Sequence, residues 1–157
     1  MDYHIRRLTI DDAPACDAVI ASLPYFFGDP DGIRDCARDV RIQAGFVVTV
    51  DDNVVAFITL LDHNDESTEV TWMAVHANHR RSGIGRRLID GAAAAAASRG
   101  IRILCVLTLG PSVPEDPGDN YEGTRRFYRS MGFVPLRELQ LSTWNDSHAL
   151  ILAKPLA

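Results

Sequence analysis

The sequence predicts a mixed α/β fold in a single domain, and three observations support this prediction. Short runs of β-branched and other apolar residues, which are typical of strands, recur along the chain. A long alanine-rich segment, residues 84–98, is a strong helix former. The chain has 157 residues with no linker and no internal repeat, and one domain usually has about 100–200 residues. We therefore expect residues 1–157 to form one domain in which strands and helices are mixed.

The first two predicted elements are a strand and a helix. Residues 3–9 mix β-branched, aromatic and polar side chains and predict a strand. Asp11 and Asp12 are suited to cap the N-terminus of a helix, and Pro14 fits the first turn of that helix. We expect the helix to run to about Ser22.

A second helix and a β-hairpin follow. Residues 24–30 are rich in turn-forming and aromatic residues and separate the two helices. Residues 33–43 predict the second helix, and Gly45 is expected to end it. Two apolar runs, 46–50 and 54–61, are joined by a short polar turn, which indicates a hairpin.

The middle of the chain predicts one strand and one long helix. Residues 69–75 form the strand, along which side chains point alternately to the two faces of a sheet. One face carries Glu69, Thr71, Met73 and Val75. The helix over residues 84–98 contains the alanine run Ala92–Ala97, which allows close packing on a sheet, and Gly100 is expected to stop it.

The last third predicts a strand, a helix and a terminal strand pair. Residues 101–109 read as a buried strand, and residues 110–118 as a proline-containing loop. A short helix over residues 124–131 is expected to end with Gly132 as its C′ residue. The terminal strands are residues 133–143 and 148–154.

The segment from Val75 to Ile89 carries the most information about function. A strand runs through a glycine-containing loop into a helix, so the unpaired N–H groups of the first helical turn face outward, where the helix dipole favours an anion. Gly83 and Gly85 lack a Cβ and let a phosphate approach the backbone closely. Positive charge and bidentate donors come from Arg80, Arg81, Arg86 and Arg87. The residues therefore predict a phosphate or pyrophosphate site.

The charge distribution also favours a small anionic ligand at this place. The net charge of the chain is −5, yet the segment from His76 to Arg102 has six arginines and one acid, Asp90, which leaves −10 for the other residues. This acidic remainder disfavours a nucleic-acid-binding protein. Neither the phosphate-loop pattern GxxxxGK[ST] nor the dinucleotide pattern GxGxxG is present.

The pattern Arg80-x-x-Gly83-x-Gly85 resembles the acetyl-CoA-binding motif of the GNAT superfamily of N-acetyltransferases, Arg/Gln-x-x-Gly-x-Gly/Ala. A second block is similar to the later helix-and-turn signature of that family, in which a tyrosine, here Tyr128, precedes Gly132-Phe133. The predicted order of elements is also that of the family. The resemblance implies a mostly antiparallel central sheet of about six to seven strands with about four flanking helices, and acetyl-CoA as co-substrate.

The resemblance further implies how coenzyme A is held. The backbone N–H groups of about Arg81 to Arg86 would hold the pyrophosphate, and Met73 and Val75 would bind the pantetheine arm through their backbone. The full implied cofactor-binding set is Met73, Val75, Arg80, Arg81, Ser82, Gly83, Ile84, Gly85, Arg86, Asn120, Thr124, Phe127 and Tyr128. An asparagine often stands seven residues before the tyrosine in the family; here Tyr121 holds that position and Asn120 lies one place earlier.

Three residues are implied to take part in the chemistry. An alkylamine is mostly protonated near pH 7, so acetylation needs a base. The resemblance makes Glu69 that base, acting through a water, while a solvated acid at a strand end is the open alternative. The Met73 N–H would donate to the thioester oxygen. Tyr128 would protonate the leaving thiolate, with packing against the pantetheine as its alternative role.

The other reactive side chains predict no additional chemistry. Cys16, Cys36 and Cys105 show no CxxC spacing and are expected to be reduced thiols, with Cys105 in the core rather than an acyl-carrying nucleophile. His76 and His79 stand three residues apart in a loop with no third ligand evident, so we expect no metal.

The acceptor is expected to be a primary amine of a small molecule or peptide that attacks directly in a ternary complex. The aromatic segment 24–30 and the acidic loop 110–122 would suit a cationic amine, with hydrophobic anchors and solvated charges as the alternative reading. A non-catalytic acyl-CoA sensor or partner module is the alternative function.

No apolar run approaches the roughly 20 residues that span a bilayer, and the polar N-terminus lacks the apolar region of a secretory signal. We therefore expect a cytoplasmic protein without membrane or nucleic-acid partners. Dimers are common in the family, so a homodimer is an open alternative, although the sequence indicates no interface.

Overall fold

A computed structural model describes residues 2–112, 121–144 and 147–156 of the chain. The strands among them are β1 (His4–Arg7), β2 (Ala44–Val50), β3 (Asn53–Asp62), β4 (Ser67–Val75), β5 (Ile103–Leu109), β6 (Val134–Leu141) and β7 (Ser147–Pro155). The α-helices among them are α1 (Ala13–Ala21), α2 (Pro30–Asp39), α3 (Ile84–Ser98) and α4 (Glu122–Ser130). The order of elements along the chain is the predicted one.

The seven strands of the described residues form one mostly antiparallel sheet in the order β1-β2-β3-β4-β5-β7-β6. Together with the four helices, this confirms the predicted fold class. The chain divides into two compact units: the first unit has Met1–Leu61 and Val70–Ala96, and the second unit has Asp62–Glu69 and Ala97–Ala157.

In the first unit, β2 pairs with β1 and β3 in antiparallel register. The hairpin between β2 and β3 is closed by Asp51 and Asp52, whose φ angles of 49° and 64° are those of a type I′ turn. This confirms the predicted hairpin. A hydrophobic core lies under these strands and is built from Ala13, Cys16, Val19, Ile20, Leu23, Cys36, Val40, Val47, Phe57 and Ala74. Burial raises the pKa of both Cys16 and Cys36 to about 12, so both remain thiols at neutral pH.

The prediction that Gly45 ends the second helix is wrong, because Gly45 lies inside β2 and pairs with Thr59 of β3. A Cβ at this position would come within 2.0 Å of the carbonyl oxygen of Ile58. The glycine is therefore needed for a close approach between two strands and not for a helix C-terminus.

Both N-terminal helices start differently from the prediction. Asp12 does not cap α1 with its side chain; its carboxylate accepts the backbone N–H of Thr9 at 2.8 Å and stabilises a 3-10 turn that precedes α1. The second helix begins at Pro30, earlier than expected, because Asp29 caps it by accepting the N–H of Asp31 at 3.1 Å. The proline itself is well placed in the first turn.

Helix α3 spans the predicted residues, Ile84–Ser98. Its buried residues recur every three to four positions and form one stripe: Ile84, Leu88, Ile89, Ala92 and Ala96. Gly100 follows the helix with a φ of +87°, as expected of a residue that stops a helix. The alanine run therefore contributes two small residues to a tightly packed face.

In the second unit, β7 pairs antiparallel with both β5 and β6. Helix α4 ends as predicted at Gly132, which has a φ of +92°. The N–H of Gly132 donates to the carbonyl of Arg129, and the N–H of Phe133 donates to the carbonyl of Tyr128, which is the Schellman motif. This motif fixes the direction in which the chain leaves α4 and enters β6.

Candidate functional site

The loop between β4 and α3 has the backbone geometry of an anion site. A 3-10 turn, Ala77–His79, follows β4, and Arg81 and Gly83 then adopt left-handed φ angles of 63° and 75°. The N–H of Arg87 donates to the carbonyl of Gly83 at 3.2 Å, so the N–H groups just before it belong to the first turn of α3 and point along the helix axis. Alternating backbone conformations of this kind make concave sites that bind anions.

The space around this loop is open. Gly83 is exposed, and a Cβ built on it would meet no atom within 4 Å. An anion can therefore reach the backbone at this glycine without displacing protein atoms. The residues present fit the pyrophosphate of coenzyme A, which requires close backbone approach, donors and positive charge.

Contacts with the N-terminal part of the first unit hold the loop in place. The N–H of Ala77 donates to the Ser22 hydroxyl at 3.1 Å. The guanidinium of Arg80 lies 5.0 Å from the centre of the Phe26 ring, and the hydroxyl of Tyr3 lies 3.3 Å from Nδ1 of His79. These contacts preorganise the loop, which lowers the entropy cost of binding a ligand.

The four arginines of the loop are not equivalent. Arg87 donates to the carbonyl of Tyr3 at 2.7 Å, so its guanidinium holds the start of the chain instead of serving only as a donor to a ligand. Arg80 stacks on Phe26 but stays exposed. Arg81 and Arg86 are exposed on the loop and on the first turn of α3. The predicted cluster of arginine donors is present, and one of its members, Arg87, also makes a hydrogen bond within the protein.

Met73 and Val75 lie half-buried on one face of β4, as the alternation of the strand predicted. Thr71 on the same face shares hydrogen bonds with the hydroxyl of Thr59 at 2.8 Å and with the side chain of Gln43. On the opposite face Val70 and Ala74 are buried. The strand therefore has one face fixed in the core and one face of intermediate exposure.

The aromatic side chains of the segment after α1 differ in their exposure and in their roles. Phe26 and Phe27 are half-buried and pack against the core, where Phe27 lies 6.2 Å from the ring of Trp72. Tyr25 is 84% exposed. Phe26 and Phe27 thus serve as hydrophobic anchors, and Tyr25 is the aromatic side chain of this segment that a ligand in solvent can reach.

The second unit contains the predicted base, Glu69, near the start of β4. Its carboxylate oxygen Oε1 lies 2.7 Å from Nε2 of His63, and 21% of the Glu69 side chain is exposed. The sequence patterns did not indicate a role for His63. A sequence signal for His63 is the short turn between β3 and β4, which places residue 63 opposite β4. The pairing register of two strands, however, cannot be deduced from the sequence of one strand alone.

The predicted acid, Tyr128, is buried in α4. Its ring makes edge contacts with Phe127 and Phe133, with ring centres 5.3 Å apart in both cases. Burial raises the pKa of Tyr128 above the ordinary value for tyrosine, so the phenol stays protonated at neutral and mildly alkaline pH.

The remaining implied residues on α4 precede this tyrosine in the sequence. Thr124 and Phe127 are half-buried and precede Tyr128 by four residues and one residue. Arg125 is buried and donates to the carbonyl of Leu109 at 2.7 Å, which fixes α4 to the end of β5. Asn120 and the acidic loop residues Glu115, Asp116 and Asp119 lie outside the described residues.

Cys105 is half-buried on β5. Burial, followed by the negative charge of Glu69, raises the pKa of its thiol. Both effects disfavour the thiolate that an acyl-cysteine mechanism would need.

Within residues 2–112, 121–144 and 147–156, no group of three His, Cys, Asp or Glu side chains is placed to hold a metal ion. Nor does that part of the chain contain a helix whose length and apolar character would let it cross a bilayer.

Two comparisons with known proteins define the class to which this fold and this loop belong. The family model described as acetyltransferase (GNAT) domain matches residues 42–135, which is more than half of the chain. The chain therefore belongs to the GNAT acetyltransferase family, as the sequence motifs predicted. No curated protein sequence matches the chain significantly.

Solved structures share the whole fold at low sequence identity. A structure from Desulfovibrio desulfuricans described as an acetyltransferase of the GNAT family has a TM-score of 0.84 at 22% identity, covering 99% of this chain and 100% of that one. An N-acetyltransferase from Escherichia coli that acts on an alanine of a ribosomal protein has a TM-score of 0.78 at 19% identity, covering 99% and 95%. An aminoglycoside 6'-N-acetyltransferase complexed with coenzyme A has a TM-score of 0.75 at 16% identity, covering 98% and 97%.

Proposed function

We propose that this protein is an N-acetyltransferase that transfers the acetyl group of acetyl-CoA to a primary amine of a small molecule or peptide. We further propose that residues 1–157 act as one catalytic domain in the cytoplasm. The observation that carries the proposal is the exposed, preorganised loop before α3, where Arg81 and Gly83 have left-handed backbone angles. Membership of the GNAT family supports acetyl-CoA as the group donor.

In this proposal the loop holds the pyrophosphate of acetyl-CoA. The backbone N–H groups from about Arg81 to Arg86 donate to its oxygens, and the exposed arginines supply charge. Met73 and Val75 bind the pantetheine arm with their backbone groups, in the manner of an added strand. The thioester supplies a carbonyl carbon that an amine can attack.

The proposed base is Glu69. An alkylammonium has no lone pair to attack with, so one proton must leave the nitrogen before the new C–N bond forms. Glu69 accepts that proton through a water. The Met73 N–H donates to the thioester oxygen as negative charge develops there, which lowers the barrier.

The proposed acid is Tyr128, which donates its proton or a hydrogen bond to the sulfur as the C–S bond breaks. The raised pKa of Tyr128 keeps it protonated and makes it a weaker acid than a free phenol. Burial also raises the pKa of a thiol whose thiolate forms away from water. Because the pKa values of both groups are raised, burial by itself does not oppose proton transfer from Tyr128 to the sulfur.

For the acceptor we propose a cationic amine. Tyr25 offers an exposed aromatic face, and such a face attracts a cation. Two structurally similar proteins act on an aminoglycoside and on a protein alanine, so both kinds of amine belong in a substrate panel.

The experiment that tests the proposal is a thermal shift with acetyl-CoA, followed by measurement of free-thiol release across a panel of amines. A ligand at 100 times its dissociation constant adds about 2.7 kcal/mol of stability, so binding will raise Tm clearly. The panel includes an aminoglycoside, a peptide with an N-terminal alanine and a linear diamine. We expect a raised Tm and amine-dependent thiol release from at least one of them.

The double variant Glu69→Gln, Tyr128→Phe distinguishes an enzyme from an acyl-CoA sensor. An enzyme loses thiol release in this variant and keeps the thermal shift. Binding without release from any amine by the unmodified protein would favour the sensor, and the absence of a thermal shift would show that the assignment of the loop is wrong.

A further inference from the structure

The turn between β3 and β4 places an imidazole against the proposed base. The backbone N–H of His63 donates to the carbonyl of Ser67 at 3.0 Å and closes the turn. The N–H of Glu66 donates to the side chain of Asn64 at 2.8 Å, which fixes the tip of the turn. The ring of His63 is therefore held on a well-defined backbone, with Nε2 lying 2.7 Å from Oε1 of Glu69.

The chemistry of the two groups decides which one donates. An ionised carboxylate can only accept hydrogen bonds, so Nε2 of His63 carries the proton and donates it to Oε1 of Glu69. One oxygen of Glu69 is then occupied, and Oε2 is left as the oxygen that accepts a proton.

We infer that His63 is a positioning residue for Glu69: it holds the carboxylate through Oε1, so that Oε2 is oriented to accept the proton that leaves the amine. This inference rests on the proposed function, because it assigns His63 a part in the same proton transfer. It parallels the way in which a carboxylate orients a catalytic histidine, with the two residue types exchanged.

Neighbouring charges do not offer His63 a competing role. Asp62, next to it in sequence, is held by two hydrogen bonds from Arg99 at 2.9 and 3.1 Å and by one from Thr68. These partners lower the pKa of Asp62, so it stays a paired carboxylate. His63 and Arg99 line an open polar cleft of about 310 Å³, together with Asp62, Asn64, Asp65 and Ile101. On the β5 side, Glu69 faces the thiol of Cys105, which is held in its neutral form.

Solvent therefore reaches His63 from the cleft, and 47% of the side chain is exposed. Nε2 donates to Oε1 whether or not Nδ1 also carries a proton, so the geometry of the hydrogen bond is the same in both forms.

Two substitutions at His63 test whether the hydrogen-bond donor or the size of the side chain is important. Glutamine places an amide N–H close to the position of Nε2 and can still donate to Oε1. Leucine has a similar size and no donor. We expect His63→Gln to keep kcat within about 3-fold and His63→Leu to lower kcat about 10-fold, with the KM for acetyl-CoA unchanged in both.

The matched control is Glu66→Gln, which neutralises another carboxylate of the same turn. Glu66 pairs with Arg102 at 3.2 Å, and both side chains are largely exposed. We expect this variant to have the kcat of the unmodified protein, because surface ion pairs contribute little.

A second readout does not depend on turnover. NMR shifts of the imidazole nitrogens report which nitrogen of His63 carries the proton. In the neutral ring we expect the proton on Nε2, the nitrogen that lies against Glu69.

The outcomes are distinguishable. An unchanged kcat in His63→Leu, with an active unmodified protein, would overturn the inference and leave the proposed function unaffected. A proton on Nδ1 instead of Nε2 in the neutral ring would also overturn it, with or without activity. If the unmodified protein acetylates no amine, the proposed function fails and the positioning role fails with it.

Discussion

The loop before α3 and the region around Glu69 and Tyr128 are built in opposite ways. The loop is a short continuous segment whose proposed binding groups are backbone N–H groups, and two left-handed residues set its shape. The proposed base and acid, Glu69 and Tyr128, are side chains. Glu69 contacts His63 across the turn between β3 and β4, and Tyr128 packs on Phe133 beyond the end of α4. The backbone site is therefore visible as a local sequence pattern, whereas the contact of Glu69 with His63 depends on how two strands pair.

The largest effect is expected from breaking the backbone site with Gly83→Asp. The substitution places a carboxylate at the proposed pyrophosphate site and a Cβ on a residue with a φ of +75°. Like charges in contact cost several kcal/mol, so the affinity for coenzyme A should fall by at least about 100-fold. Isothermal titration calorimetry with coenzyme A measures this directly.

Gly100→Asp is the matched control for backbone strain. Gly100 also has a left-handed φ, +87°, and open space around its Cβ position, but it follows the other end of α3. It should cost a similar amount of stability and leave the affinity for coenzyme A unchanged. Equal losses of affinity in the two variants would mean that strain alone, and not the loop, explains the effect.

An intermediate effect is expected from Tyr128→Phe, which tests the side-chain site. The phenylalanine keeps the edge contacts with Phe127 and Phe133 and removes only the hydroxyl. A lost general acid typically lowers the rate by about 100-fold or more, so kcat should fall by about that factor while the affinity for acetyl-CoA changes little. Steady-state kinetics and calorimetry on the same preparation separate the two quantities.

A different pattern would assign Tyr128 another role. If Tyr128→Phe keeps kcat and weakens acetyl-CoA binding, the hydroxyl serves in binding and not in proton transfer. Tyr128→Leu, which also removes the ring contacts, should lower Tm as well as kcat.

The smallest effects concern one carboxylate–arginine pair in each unit. Asp12 accepts two hydrogen bonds from Arg6 at 2.8 Å and is 8% exposed, whereas Asp62 accepts two from Arg99 and is 47% exposed. Hydrogen bonds to charged groups contribute about 1.5–3 kcal/mol when buried and exposed pairs about 0–1 kcal/mol. We therefore expect Asp12→Asn to cost more stability at pH 7 than Asp62→Asn, as measured by urea unfolding.

The pH dependence of these two variants has a defined sign. Arg6 lowers the pKa of Asp12, and Arg99 lowers that of Asp62, so both folded-state values lie below the unfolded value of about 3.9. The stabilisation is complete above about pH 4 and is lost as the pH falls through the lowered folded-state pKa. The stability difference between the unmodified protein and Asp12→Asn should shrink below pH 4. A difference that grew with acid would show that another group is responsible.

The sequence predicted the order of all strands and helices in the described residues and the span of α3, because hydrophobic periodicity and glycine stop signals are local. It misread Gly45, since the close approach of the Ile58 carbonyl is a contact between strands. It missed His63 for the same reason: its partner lies across a turn, and the register of the two strands sets the contact. The implied roles of Glu69, Tyr128 and Met73 stay predictions.

The hydrogen bond from Arg87 to Tyr3 has a consequence for mutagenesis. Its acceptor is a backbone carbonyl, which every amino acid supplies. Any substitution at residue 3 therefore keeps this hydrogen bond. A scan of single substitutions will not detect the contribution of the bond, because no side chain at position 3 removes it. Removal of the first three residues deletes the acceptor itself, so a truncation series is the kind of genetic experiment in which this contribution of the N-terminus becomes visible.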